Sequence, residues 1–205
     1  MSTVEQGSKA WLEQKYGNAS ASRISDVTAK TKSGYSASRE NYLTQLVLER
    51  FGIFEESFTS EAIQHGIDTE PFARVTYEDK NNVFVEQVGY ILHPTIKRSG
   101  ASPDGRVGDD GLLEIKCPNS KVHFEYLLGN RVPPKYIPQM AWQMACTGAK
   151  WCDFVSFDDR VPDGLQYFEI RYHRDEAYIA ELEKEVTQFL IEVDKKYEEL
   201  KARIK

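Results

Sequence analysis

The sequence predicts an α/β sandwich, a mixed central sheet flanked by helices. Three observations lead there. Strand-like stretches lie on both sides of a Gly-rich turn within residues 102–118, and recur at 151–157 and 165–172. Apolar residues at helical spacing fill the segments before, between and after them. The resulting order of helices, strands, hairpin, two helices, two strands and a final helix interleaves the two kinds of element around one core. With 205 residues and 40% apolar content the chain can bury one substantial core and is short for two, so residues 1–205 are expected to form a single domain.

Residues 4–16 have helical character, with Ala10, Trp11 and Leu12 as apolar content and Gly17-Asn18 as the stop signal. Residues 20–27 begin a second short helix with several candidate caps, Ser22 among them. Residues 30–38 form a polar loop containing Gly34. Residues 39–51 place Tyr42, Leu43, Leu46 and Val47 on one helical face and end at Gly52. A connector at 54–58 leads to a helix over 60–81. Residues 83–90 alternate as a strand, Gly89 permits a bend into 91–94, and 95–99 is a basic turn. Beyond the hairpin, Pro118 and Asn119-Ser120 open a helix whose Val122, Phe124, Leu127 and Leu128 are expected to face the sheet, closed by Gly129-Asn130. A tight loop at 131–134 precedes a helix over 136–147. The strands at 151–157 and 165–172, joined through Asp163-Gly164, extend the sheet. From Asp175 onward Tyr178, Leu182, Val186, Phe189, Val193, Tyr197 and Leu200 recur at intervals of three and four, an amphipathic helix expected to pack on its own domain.

The hairpin carries the chemistry. Side chains alternate along a strand, so Glu114 and Lys116 share the face opposite Leu113 and Ile115. If the hairpin closes across 108–111, Asp104 returns beside Glu114. Two carboxylates and an ammonium in one small volume are what metal-assisted phosphodiester hydrolysis requires: hard oxygen ligands for Mg²⁺ or Mn²⁺, and a cation near the attacking water or the phosphate. Taken alone, the same residues also suit an ordinary polar hairpin with a surface Glu114–Lys116 pair. The flanking Ser102-Pro103-Asp104-Gly105 and Lys116-Cys117-Pro118 are unusual punctuation for a mere surface turn. On their helices, Glu70 suits a solvated face, and Gln139 and Gln143, four residues apart, share one face with Tyr136 and Met140.

With Pro103-Asp104 as its first half and Glu114-Ile115-Lys116 as its second, the hairpin resembles the PD-(D/E)xK nuclease core. More narrowly, SPDG, the ten positions from Asp104 to Glu114, and EIKCP are similar to the lambda-exonuclease and YqaJ-type viral recombinase family, and the similarity covers most of the chain. The resemblance implies a restriction-endonuclease-like fold. It also implies a Mg²⁺-dependent exonuclease, with Mn²⁺ as substitute and two ions per site. Such an enzyme digests the 5′ strand of linear double-stranded DNA, releases mononucleotides and leaves a 3′ single strand for phage-type annealing. By that resemblance Asp104, Glu114 and the Ile115 carbonyl hold one ion, and Glu70, which fits a GxxxE element beginning at Gly66, helps hold another. Lys116 orients or activates the water. Lys15 and Ser22, a basic residue soon after Trp11 and a Ser seven positions later, join Ser102 and Gln139 in gripping the terminal 5′-phosphate, and Lys32 reaches DNA. The family prototype has Arg where this chain has Lys15, so a point charge replaces a bidentate fork. A ring-shaped homotrimer around DNA and a phage single-strand annealing protein as partner are implied too.

The formal net charge of -6 and the lack of a long Lys/Arg block mean that DNA binding would need concentrated basic groups. Lys30, Lys32, Arg39, Lys97, Arg98, Lys121, Arg131 and Lys135 are the candidates. Cys117, Cys146 and Cys152 are odd in number and lack CxxC spacing, which argues against a disulfide framework or a zinc site. His65 and His93 are expected to be structural or superficial. No run approaches the ~20 apolar residues of a membrane span, and the opening residues lack a basic then apolar leader, so the cytoplasm of a bacterial host is expected. Two other readings stay open: a structure- or sequence-specific endonuclease of the same fold, and a non-catalytic DNA-binding subunit. Retention of Asp104, Glu114 and Lys116 together argues against the second.

Overall fold

The structure, a computed structural model, describes residues 4, 6–32, 34–54 and 60–204. In chain order its elements are α1 (Lys9–Lys15), β1 (Ala19–Ser20), α2 (Ile24–Thr28), β2 (Lys30–Thr31), β3 (Gly34–Tyr35), α3 (Ala37–Arg50), α4 (Glu61–Asn81), β4 (Val85–Glu86), β5 (Ile91–Leu92), β6 (Ser99–Ala101), β7 (Gly105–Val107), β8 (Gly111–Lys116), α5 (Ser120–Gly129), α6 (Ile137–Thr147), β9 (Trp151–Phe157), β10 (Tyr167–His173) and α7 (Glu176–Lys201). Five strands in the order β10-β9-β8-β7-β4 make the central sheet. Only β8 and β9 pair in parallel within it; the other neighbours are antiparallel. A parallel pair needs a long crossover, and α5 and α6 provide it. The sheet is therefore mixed, as the sequence predicts.

Alternation along β8 divides the core in two. Leu112 joins Cys152 and Phe154 in the larger cluster, which is filled from α2, α3, α6 and α7. Leu113 and Ile115 point the other way, to Val155 and Phe157 and to Ala73 and Tyr77 of α4. A second sheet, β1-β6-β5, pairs β1 in parallel with β6 and so lays the segment after α1 beside the strand that leads into the hairpin.

Several elements depart from the sequence reading. The first helix starts only at Lys9, because Ser8 caps it by accepting from Trp11 N at 3.2 Å. The loop expected at 30–38 contains a small hairpin, β2 with β3; its Ser33 lies outside the described residues, as do residues 55–58 of the expected connector. The strand expected over 83–90 shrinks to the two residues of β4. A Cβ on Gly89 would lie 2.9 Å from Val4 O, so the N-terminal segment lies against this stretch. In α5 Val122 and Leu127 pack against the core as expected, but the buried residues are His123 and Tyr126, whereas Phe124 is 37% and Leu128 87% exposed. The polar ends of the buried pair explain this: His123 meets Ser156 Oγ and Leu165 O, each at 2.7 Å, and Tyr126 OH lies 3.4 Å from Tyr136 OH. The α7 stripe packs inward on α2, α3 and α6 as expected, except that Leu200 is exposed.

Two of the basic candidates are committed elsewhere. Arg39 is buried, with both terminal guanidinium nitrogens donating to Glu192, at 2.6 and 3.1 Å. Lys30 donates to Glu185 at 2.6 Å. Among the described residues no helix is long and apolar enough to cross a membrane.

Candidate active site

The hairpin closes as its turn residues require. Gly108 takes a positive φ of 57° at the turn, and Val107, Arg106 and Gly105 face Gly111, Leu112 and Leu113. Gly105 also permits close packing, since a Cβ there would stand 2.1 Å from Val85 Cγ1 on β4. One residue earlier the ladder continues, with Asp104 N donating to Leu113 O at 3.1 Å. Asp104 thus comes back opposite Glu114, and its Oδ2 accepts from Ile115 N at 2.6 Å.

Glu114 is fully buried on the α6 face of β8. Its Oε1 accepts from Gln139 Nε2 at 2.6 Å and from Lys116 Nζ; its Oε2 accepts from Gln143 Nε2 at 2.5 Å. The two amides therefore share one face, as their spacing predicts, but that face is turned inward onto a carboxylate. Cys152 Sγ lies 3.8 Å from Gln143 Oε1, and Lys116 Nζ sits 5.2 Å above the Tyr136 ring centroid. Glu70 approaches from α4, paired with Arg74 one turn along.

The electrostatics bind these groups into one unit. Burial, then the repulsion of Glu114 and Glu70, pushes the Asp104 carboxyl well above its ordinary value, against the opposing pull of Lys116 and the Ile115 N–H. Burial also raises the Glu70 carboxyl, with Arg74 and Lys116 opposing. For Lys116 burial acts downward, yet Glu114 and Asp104 outweigh it and hold the ammonium above its usual range. The Cys117 thiol is pushed up to about 12 by burial, with Glu70 and Asp104 adding to it. Three carboxylates, Asp104, Glu114 and Glu70, face two cations, Lys116 and Arg74, so negative charge is in surplus. Such an all-oxygen, over-negative set fits a hard divalent cation.

A second group assembles beside the first. Trp11 Nε1 donates to Ser102 Oγ at 2.9 Å, and Lys15 Nζ lies 3.8 Å from the centroid of the Trp11 ring. Burial lowers the Lys15 ammonium to about 8, with Glu49 resisting. Gln6 Nε2 donates to Pro103 O at 2.8 Å and Val88 O at 2.9 Å, fastening the N-terminal segment to the SPDG turn. Ser22 is exposed in the turn Ala21–Arg23, its Oγ 3.4 Å from Ser20 Oγ, and makes no helix cap; β1–β6 pairing carries its segment alongside that of Ser102. Gln139, expected with this group, faces Glu114 instead. Lys32 stands exposed in the β2–β3 turn, whose strands are tied to Glu185 of α7 through Lys30 and Tyr35.

Sequence reasoning missed the Trp11 link between Lys15 and Ser102, the Arg74 partner of Glu70, and the full weight of Gln143. Arg74 was within reach, four residues from Glu70. Nothing in the sequence joins Trp11 to a residue 91 positions away.

Residues 10–150, a span that includes both groups, match the family model for the YqaJ-like viral recombinase domain. The chain is 47% identical to an alkaline exonuclease (LHK-Exo) from Laribacter hongkongensis, superposing with a TM-score of 0.90 over 96% of this chain and 97% of that one. The structure of LHK-Exo in complex with dAMP gives a TM-score of 0.91 at the same identity and coverage. A phage related exonuclease from Haemophilus somnus 129PT, 13% identical, shares the fold with a TM-score of 0.66 over 95% of this chain and 100% of that one. Among curated proteins, uncharacterized protein R354 of Acanthamoeba polyphaga mimivirus is 29% identical over 180 residues, which is 78% of this chain and 32% of that protein. The chain thus spans about a third of the length of that curated relative.

Proposed function

Since the chain belongs to the YqaJ-like viral recombinase family, we propose that it is a metal-dependent DNA exonuclease. It digests one strand of linear double-stranded DNA from a 5′-phosphorylated end, 5′ to 3′, releases mononucleotides and leaves a 3′ single strand for annealing. The observation that carries this reading is the buried Asp104–Glu114–Lys116 unit closed by the β7–β8 hairpin. The 47% identity to an alkaline exonuclease supports the reaction class, and the dAMP complex of that relative supports a mononucleotide product.

Asp104, Glu114 and the Ile115 carbonyl would hold Mg²⁺, with Mn²⁺ as substitute, and Glu70 would help with a second ion. A metal held there would supply Lewis-acid polarisation of the scissile phosphate and offset charge on the leaving oxygen. Gln139 and Gln143 fix the Glu114 carboxylate so that it presents one orientation. Lys116, kept charged by its acidic neighbours, donates hydrogen bonds: it orients the attacking water and balances charge on the phosphate. Lys15, Ser22 and Ser102 receive the terminal 5′-phosphate at the Trp11 corner, with Gln139 reaching it from the Glu114 side, and so set polarity; Lys32 contacts DNA further out. The reading extends to a single nuclease domain over residues 1–205, a homotrimeric ring around DNA, a phage single-strand annealing protein as partner, and the cytoplasm of a bacterial host as its setting.

The deciding experiment is Mg²⁺-dependent digestion of three DNAs: linear duplex with 5′-phosphate, the same duplex with 5′-hydroxyl, and a closed circle. Loss of linear DNA alone, fastest with the phosphate, is the expected result. Cleavage of the circle would establish the endonuclease instead, and no digestion of any substrate the binding subunit. Lys116→Ala is expected to lower kcat on the linear duplex by about 10²- to 10⁴-fold; unchanged hydrolysis would remove Lys116 from the chemistry.

A further inference from the structure

Behind the hairpin, where α4 passes the end of β9, a second group of ligand-type side chains converges. His65 lies in the second turn of α4; Asp158 and Asp159 follow directly on Phe157, the last residue of β9. One ligand atom from each lies within 4.8 Å of the others, and His65 Nε2 is 3.9 Å from Asp159 Oδ1. None of the three belongs to the Asp104–Glu114 unit.

Two independent features show that this corner is built to receive something. Asp158 is fully buried, and among the described residues its Oδ2 is shielded from water with no donor in good hydrogen-bonding geometry, the Ser120 hydroxyl lying nearby. His65 Nε2 is likewise shielded and makes no hydrogen bond among the described residues, Asp159 Oδ1 at 3.9 Å being too far for one. Interiors rarely leave two such polar atoms unsatisfied. The remaining atoms of both residues are already occupied: His65 Nδ1 lies 3.2 Å from Thr69 Oγ1, and Asp158 Oδ1 accepts from Arg160 N at 3.1 Å and Nε at 2.7 Å. In the tautomer whose Nδ1–H donates to Thr69 Oγ1, which the proposed site requires, the Nε2 lone pair is available and the ring is held in place, as a metal-binding imidazole is held by a partner on its other nitrogen. Burial acts to raise the Asp158 carboxyl, but Arg160 and the nearby Ser120 hydroxyl more than offset it and keep it below the usual range, hence ionised.

We propose that His65, Asp158 and Asp159 form a second, structural cation site that takes a borderline transition-metal ion such as Zn²⁺ or Co²⁺. One imidazole with two carboxylates is a donor set for those ions, whereas Mg²⁺ prefers oxygen alone. The side chain of Asp159 is 55% exposed, which provides an entry path and leaves a coordination position for water. The ion ties α4 to the end of β9. Since α4 also carries Glu70, it fixes the height at which that carboxylate meets the hairpin.

Equilibrium dialysis of the full chain against Co²⁺ or Zn²⁺ tests this, using Asp104→Asn to weaken the other site. One equivalent should remain bound by Asp104→Asn, and adding His65→Ala or Asp159→Asn to it should weaken that equivalent by about tenfold or more. Asp159 is exposed, so its substitution leaves the fold intact even if His65→Ala does not. Co²⁺ should raise the Tm of Asp104→Asn but not that of Asp104→Asn/Asp159→Asn. Failure of Asp104→Asn to retain an equivalent, or equal binding and equal Tm gain in the Asp159→Asn double variant, overturns the proposal. Neither outcome bears on the digestion experiment, because binding and melting are read without DNA.

Discussion

Burial of Lys15 gives the proposed 5′-phosphate pocket a pH limit. The Lys15 ammonium is lowered to about 8, so the charge is present below that value and lost as pH rises through it. The ratio of kcat/KM for 5′-phosphate over 5′-hydroxyl ends, which reports the free enzyme, is therefore expected to fall from about pH 7 to about pH 9.5. Lys15→Arg should hold the ratio level, because guanidinium stays charged throughout. A flat wild-type ratio would take Lys15 out of the phosphate pocket. Asp104 has the opposite sign of behaviour. Its folded-state carboxyl is raised, so protonation stabilises the metal-free fold at acid pH and that stabilisation is lost as pH rises through the raised value. A divalent cation takes over where the proton leaves. The Tm gain on adding Mg²⁺ should accordingly grow from about pH 5 to about pH 8.5. Asp104→Asn should make it small and independent of pH. At this scale the sequence carried the groups that sit close together along the chain: Asp104, Glu114 and Lys116 fall where hairpin alternation puts them. Trp11 escaped because its partner Ser102 is reached only through tertiary packing.

The elements show where periodicity informs and where it misleads. α4 begins at the Ser60 cap, which accepts from Ile63 N at 3.3 Å, and it continues through Pro71 as one helix. A helix over 60–81, Pro71 included, was legible in the sequence; the structure adds the capping role of Ser60 and the packing of Ala73 and Tyr77 on the sheet, which helps offset the hydrogen bond that Pro removes. α5 misled in part: Val122 and Leu127 do pack on the core, but Phe124 and Leu128 give way to His123 and Tyr126, whose buried polar tips find partners that only the folded chain provides. In α6 the sequence showed that Gln139 and Gln143 share a face but not that the face looks inward. Gln143→Leu tests what that face does. Removing the one hydrogen bond that Glu114 Oε2 accepts among the described residues should cost about 1–3 kcal/mol of stability in urea unfolding and weaken Mg²⁺ binding by about 10- to 100-fold. A fully stable variant with unchanged Mg²⁺ affinity would mean that Gln143 merely fills space.

For the whole molecule, acidity and DNA binding must be reconciled. Arg39 is spent on Glu192, Lys30 on Glu185, Arg50 on Asp194 and Arg171 on Asp153, so much of the basic count holds the fold together. Counterion release on DNA then falls to the cations outside these pairs, Lys32 among them. The slope of log Kd against log salt is expected to correspond to about three to five phosphate contacts, at about 0.9 per contact; a slope near ten would mean that the ion-paired cations reach DNA as well. The one parallel pairing of the central sheet also governs when these groups meet. While a chain is emerging from the ribosome, the hairpin can form by itself, but β9 must wait until the whole crossover has been made. That crossover includes α6, so the strand that covers Glu114 on one side and the amides that hold its oxygens arrive together. A nascent or partly unfolded chain thus has the acidic hairpin without its assembled surroundings, and cutting power comes late in the life of each new molecule.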